Sequence, residues 1–165
     1  MSIELRTARP GDEGLLLGLI RELAEYERLA DAVVATPELL AEHLFGDNPV
    51  AEAVIAELAG EAVGFALFFR NFSTFVGKPG LYLEDLYVRE SARGQGVGRV
   101  LLEHLAGIAH ERGYGRMEWS VLDWNQPAID FYESLGARPM SEWTVYRLSE
   151  HGEVPELQKQ DRSRP

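Results

Sequence analysis

Between residues 81 and 122 the chain reads as strand, glycine turn, helix and strand without a gap, and no other stretch limits the possible folds as much. Leu81–Val88 is an apolar run of strand length. Arg93-Gly94-Gln95-Gly96-Val97-Gly98 follows, and Val100, Leu101, Leu105 and Ile108 then recur on one helical face until Gly113. Met117–Leu122 is the next strand. Two strands joined through a helix lie parallel, by a right-handed crossover. Such a pair needs a sheet with helices packed against it.

The flanking sequence supplies the rest of that sheet. Ile3–Ala8 alternates apolar and polar residues as an opening strand, and Pro10-Gly11-Asp12 breaks it, with Asp12 placed as a helix N-cap. Apolar residues at helical spacing then run from Glu13 to Leu29. Thr36-Pro37-Glu38 starts a short helix that stops at Gly46, with proline where its missing N–H costs nothing. Val54–Leu58 and Val63–Phe69 form a hairpin around Gly60-Glu61. Asn71–Gly80 reads as a loop, Pro127–Leu135 as a helix closed by Gly136, and Trp143–Leu148 as a last strand. The expected fold class is α/β: a central mixed sheet (α+β mixed) with helices on both faces. At 165 residues the chain is expected to hold one domain, residues 1–148, with a frayed charged tail over 149–165.

Composition removes several functions. Sixteen Lys and Arg against 27 Asp and Glu leave a net charge of −11. That is the wrong sign for displacing counterions from nucleic-acid phosphates. The absence of cysteine excludes disulfides, thiolate metal sites and a cysteine acyl-enzyme. His43, His104, His110 and His151 lack ligand spacing, so no metal site is expected, and no G-x-S-x-G elbow supports serine hydrolysis. With no apolar run of membrane length and no charged-then-apolar start, a soluble cytoplasmic protein is expected, without nucleic-acid or membrane partners. The acidity is concentrated over residues 21–47, which carry a net −5 and suit either a solvated helix face or a funnel for a cationic molecule. Arg89, Arg93 and Arg99, opposed only by Glu90, form a local basic island.

That island surrounds the glycine turn. Strand, glycine turn and helix start together make an anion site, because unpaired backbone N–H groups and the helix dipole converge there. Gly94, Gly96 and Gly98 are spaced G-x-G-x-G, which misses the dinucleotide fingerprint, and Gly98 is followed by Arg99-Val100 rather than the Lys-Ser/Thr of an NTPase loop. What remains is Arg93-x-x-Gly96-x-Gly98. With its strand before and helix after, it resembles the pyrophosphate signature of the GNAT superfamily of acyl-CoA-dependent N-acyltransferases. Asn125-x-x-Ala128-x-x-Phe131-Tyr132-x-x-x-Gly136 is similar to that superfamily's second signature. Tyr82–Val88, Glu22–Glu27 and Trp124-Asn125-Gln126-Pro127 resemble its diamine and thialysine acetyltransferase branch, so the likeness spans residues 3 to about 148.

The resemblance implies a GNAT-type fold and direct transfer of acetyl from acetyl-CoA to an amine in a ternary complex, without metal. Its cofactor contacts fall on Leu86, Tyr87 and Val88, on Arg93, Gly94, Gln95, Gly96, Val97, Gly98 and Arg99, and on Asn125, Pro127, Ala128 and Tyr132. Tyr132 matches the tyrosine that protonates the leaving thiolate, and a phenol with a pKa of about 10 suits that exchange. Glu84, a carboxylate inside an apolar strand, matches the proton acceptor for the amine, its pKa raised by partial burial. Asp85 is expected on the opposite sheet face by period-two alternation. A backbone N–H near Leu86, at a bulge that family members share, is expected to polarise the thioester carbonyl. Tyr26 and Glu27, with Glu84, match substrate-binding positions. Where the branch has an acid-then-Trp loop this chain has Ser73-Thr74-Phe75, and Thr144 and Tyr146 replace a glutamate and a tryptophan. Fewer acids favour a short cation (a diamine, or a lysine- or thialysine-like amino acid) over a long polyamine. Acetylation of a protein N-terminus, a lysine side chain or an aminoglycoside is the alternative enzyme reading, and a CoA-binding sensor the non-catalytic one. A homodimer is implied by the resemblance, with Trp143 and Tyr146 available for contact.

Overall fold

The computed structural model describes residues 2–157, so part of the expected tail, 158–165, lies outside the described residues. The chain divides into two compact units between Leu122 and Asp123. The first unit holds a five-stranded sheet in the order β1-β2-β3-β4-β5. The strands are β1 (Ile3–Thr7), β2 (Glu52–Leu58), β3 (Glu61–Ser73), β4 (Lys78–Val88) and β5 (Met117–Trp119). The first four pair antiparallel and β5 joins β4 in parallel. Three helices belong to this unit: α1 (Glu13–Tyr26), α2 (Pro37–Phe45) and α3 (Val97–Glu111).

Alternation along the strands sorts side chains to two faces. Ala53, Ile55, Phe65 and Tyr87 join Leu16, Leu19 and Leu23 of α1 and Leu44 of α2 in one buried cluster. Val54, Ala56, Ala66, Phe68, Leu81 and Leu83 point the other way, the α3 face, where Leu101, Leu102 and Leu105 are buried as well. Each fully buried leucine contributes about 1.5–3 kcal/mol over an exposed one, and this is what holds α1 and α3 at fixed heights above the sheet.

Four expectations for the first unit need correcting. The loop expected over Asn71–Gly80 is mostly sheet: β3 and β4 stay paired out to Ser73 and Lys78, because Phe69 and Tyr82 pair across the strands with ring centroids 5.2 Å apart. Helix α1 ends at Tyr26 rather than Leu29; Arg28 takes a positive φ of 62° and a 3₁₀ turn follows at Ala30–Ala32. Asp12 sits at the N-cap position without capping. Its carboxylate is turned to the Arg6 guanidinium at 2.8 and 3.0 Å and to the Arg9 amide at 2.8 Å, and Arg6 holds it below the usual carboxylate range. β5 ends at Trp119, three residues before the expected Leu122.

The second unit contains α4 (Gln126–Ser134), begun by Asn125, whose side chain accepts from the Ala128 amide at 3.4 Å, with Pro127 in the first turn. The strand expected at Trp143–Leu148 is absent: the segment carries no regular structure, and Trp143, Val145, Tyr146 and Leu148 are exposed. Its alternating pattern forms no ladder with any described strand. No helix among the described residues is long and apolar enough to cross a membrane.

Candidate active site

The glycine turn is built as its sequence requires. β4 ends at Val88, a 3₁₀ turn spans Glu90–Ala92, and α3 starts at Val97. Gly94 and Gly96 have φ of 77° and 83°, a region that costs other residues about 1–2 kcal/mol. A Cβ at either would meet nothing within 4 Å, so the two glycines serve backbone conformation and approach from outside rather than internal packing. Gly96 is the N-cap of α3 and offers no side chain to its first amides, and the first turn carries no acid. α2 and α4 are capped by Thr36 and Asn125 instead. The N-terminus of α3 is thus presented to an outside anion.

The basic island is engaged differently at each arginine. Arg89 grips the Glu22 carboxylate through Nε and Nη2, at 3.0 and 2.9 Å, and donates to the Ala62 carbonyl at 2.9 Å, tying α1 to the sheet. Arg99 pairs with Glu103 one helical turn on, at 2.8 Å. Arg93 donates from Nε to the Val88 carbonyl at 3.0 Å, and its guanidinium lies 4.7 Å from the Tyr26 ring centroid and 5.9 Å from that of Tyr87. Glu22, Glu25, Tyr26, Tyr87, Arg89, Glu90, Ser91 and Arg93 line one open groove beside the turn. Tyr26, expected on the substrate side, and Arg93, expected on the cofactor side, therefore share a wall.

β4 carries a bulge near Leu86, at Glu84. Leu83 pairs with Phe68 and Asp85 with Leu67, so Glu84 is the extra residue. This resets the alternation. Leu83 remains on the α3 face with Phe68, whereas Asp85 falls on the α1 face with Tyr87, which corrects the placement expected from strict alternation. Glu84 is exposed and Asp85 half-buried. Burial, then the charges of Glu84 and Glu27, push Asp85 up to about 7. Glu27 is raised by burial. Tyr87 is raised by burial and then by Glu22. The Arg89 amide donates to the Val63 carbonyl of β3 at 2.7 Å. By alternation the Leu86 and Val88 amides point to the opposite edge, beyond the last β4–β5 pair at Leu83.

In the second unit Tyr132 lies on α4, half-buried, its ring centroid 5.7 Å from that of Phe131. Asn125 is buried. The bulge that aims Asp85 leaves no mark in the residue pattern; only two adjacent acids in an apolar strand hint at it.

Residues 19–137 match the Acetyltransferase (GNAT) family. A thialysine N-epsilon-acetyltransferase of Sus scrofa is 40% identical over 158 residues, covering 89% of this chain and 92% of that protein. An L-ornithine N5-acetyltransferase of Arabidopsis thaliana is 32% identical, covering 90% and 85%. Among solved structures, an integron cassette protein from the mobile metagenome of V. cholerae superposes with a TM-score of 0.76 at 31% identity, covering 92% of this chain and 95% of that one. The chain belongs to the Acetyltransferase (GNAT) family. It is an N-acetyltransferase, with acetyl-CoA as co-substrate. The uncapped start of α3 behind Gly94 and Gly96 suits the pyrophosphate of that molecule.

Proposed function

We propose that this acetyltransferase acetylates a short cationic primary amine, a diamine or a lysine-, ornithine- or thialysine-like amino acid, by direct attack on acetyl-CoA. The observation that carries the reading is the groove in which Arg93 of the glycine turn meets Tyr26 and the acids Glu22 and Glu25. An anion-binding element and a cation-binding wall that share one groove suit a reaction between CoA and an ammonium. The names of the relatives, which act on thialysine and ornithine, support the same class.

In this reading Val97, Gly98 and Arg99 at the start of α3 offer amides to the pyrophosphate, with Gly94, Gln95 and Gly96 shaping the approach and Leu86, Tyr87 and Val88 running beside the pantetheine arm. The Leu86 N–H polarises the thioester carbonyl, a contribution of about 2.7–4 kcal/mol where such donors have been removed. Asn125, Pro127 and Ala128 open the helix that carries Tyr132, the donor to the departing thiolate. Tyr26, Glu27 and Glu84 form the amine side, where a β4 carboxylate takes the proton. Residues 1–148 act as one acetyltransferase domain, a reading supported by a family match that crosses the division at residue 122. The enzyme is cytoplasmic and homodimeric, the latter supported by the exposed Trp143, Val145 and Tyr146.

Thiol release from acetyl-CoA, followed across a panel of diamines, polyamines, basic amino acids, peptide N-termini and an aminoglycoside, tests the reading. Turnover should be fastest with the short diamines and basic amino acids. Preference for a peptide or aminoglycoside would overturn the substrate class, and no turnover with any amine would leave a CoA-binding protein.

A further inference from the structure

We propose that Asp85, rather than Glu84, is the group that takes the proton from the substrate ammonium, an inference that rests on the amine-acetylating function proposed above. The bulge supplies the geometry. Because Glu84 is the extra residue of β4, Asp85 pairs with Leu67 and is carried to the face that α1 covers, with Tyr87 two residues further along. Glu27, one residue after the end of α1, faces it closely enough for their charges to interact. Asp85 is half-buried two residues before Tyr87, which lines the groove, whereas Glu84 is exposed.

Those surroundings decide the chemistry. A carboxylate in open water has a pKa near 4 and is a poor acceptor for an ammonium proton at neutral pH. Burial beside two other acids lifts Asp85 to about 7, where the ionised form is still present and its basicity is greatest. The groups that set this value are Glu84 on its own strand and Glu27 beyond α1, both raising it. The cation nearest the Tyr26 and Tyr87 rings is Arg93, and β3 places Leu67 opposite Asp85. The step balances simply. The ammonium N–H bond breaks and its proton goes to an Asp85 Oδ atom. The freed nitrogen lone pair forms the C–N bond to the thioester carbonyl, and the C–S bond breaks as the intermediate collapses. The second amine proton offsets the one delivered to the thiolate, and the proton on Asp85 passes to solvent.

The neighbouring carboxylates provide a crossed test. The pH dependence of kcat/KM, which reads groups of the free enzyme, is measured for the wild type, Asp85→Asn and Glu84→Gln with a diamine. The wild type should break near pH 7. Asp85→Asn should lose the break and fall by about 10²–10⁴-fold in kcat, with acetyl-CoA affinity unchanged by calorimetry. Glu84→Gln should keep the break and move it to lower pH, because a charge that raises Asp85 has been removed. If Glu84 is the acceptor the pattern inverts: Glu84→Gln loses the break and Asp85→Asn merely shifts it, which would overturn the proposal. ¹³C NMR of carboxyl-labelled aspartate gives a readout independent of turnover, namely one resonance titrating near 7 that is missing in Asp85→Asn; its absence from the wild type would also overturn the proposal. A wild type inactive with every amine would refute the enzymatic function itself, and is recognisable because no variant comparison is then needed.

Discussion

A half-buried carboxylate held near neutrality affects stability as well as chemistry. Asp85 keeps its proton to about pH 7 in the folded chain, against a value near 4 when unfolded. Between those values unfolding releases a proton, so this residue makes the fold less stable as pH rises, and above 7 the whole cost of the buried charge is present. Asp85→Asn removes that cost. Its thermal midpoint should exceed that of the wild type at pH 8 and converge with it at pH 4 by calorimetry; a midpoint lowered at both pH values would mean that the ionised carboxylate is favourably bound. Tyr132 makes the complementary case for function. Tyr132→Phe keeps the ring that faces Phe131 and removes only the phenolic proton. A fall in kcat of about 10²–10⁴ with acetyl-CoA affinity retained is expected of a lost general acid. Full activity in that variant would remove Tyr132 from the chemistry, and loss of CoA binding would make it a packing residue.

The element on which cofactor binding depends most is the start of α3. Gly96→Ala places a Cβ at a φ of 83° with nothing to clash against, so the cost is backbone strain of about 1–2 kcal/mol and a displaced first turn. Acetyl-CoA affinity should weaken while the α1–sheet core stays intact, seen as a raised Kd with an unchanged near-ultraviolet spectrum. This element was fully legible in the sequence, because its glycines act locally: R-x-x-G-x-G fixes a conformation whatever surrounds it. α2 was legible for the same reason, with Thr36 accepting from the Leu39 amide at 3.2 Å. What the sequence did not show depends on partners outside the element itself. The β3–β4 extension relies on cross-strand rings, Asp12 turns from its own helix to Arg6, and Trp143–Leu148 has the pattern of a strand without a neighbour. Asp85 belongs to this second group, since its direction is set by how many residues β3 places opposite β4.

Across the whole molecule the net charge of −11 bears on how a cation arrives. Acids at 21–47 lie on α1, α2 and the turns between and after them, and Glu22 and Glu25 reach the groove itself. A long-range field of this sign speeds the encounter with a cationic amine and is screened over about 10 Å at 0.1 M salt. kcat/KM for a diamine should therefore fall with ionic strength, with kcat little changed; a salt-independent kcat/KM would show that only short-range contacts select the substrate. Light scattering at micromolar concentration tests the homodimer, and a monomer mass there would leave the exposed Trp143 and Tyr146 without that explanation.

The extra residue in β4 also sets a limit on how stable this protein can be while remaining an enzyme. Removing Glu84 outright would leave Leu83 opposite Phe68 and Asp85 opposite Leu67, every partner as before, and close the break in the ladder. The residue is an insertion, and a bulge of this kind bends and twists the strand, here beside the Leu86 amide. A chain with Glu84 deleted should fold, melt at or above the temperature of the parent, and release thiol at least about 100-fold more slowly, the size of loss that follows when a carbonyl donor is misplaced. Selection for heat resistance would thus favour losing this residue, and selection for turnover would restore it.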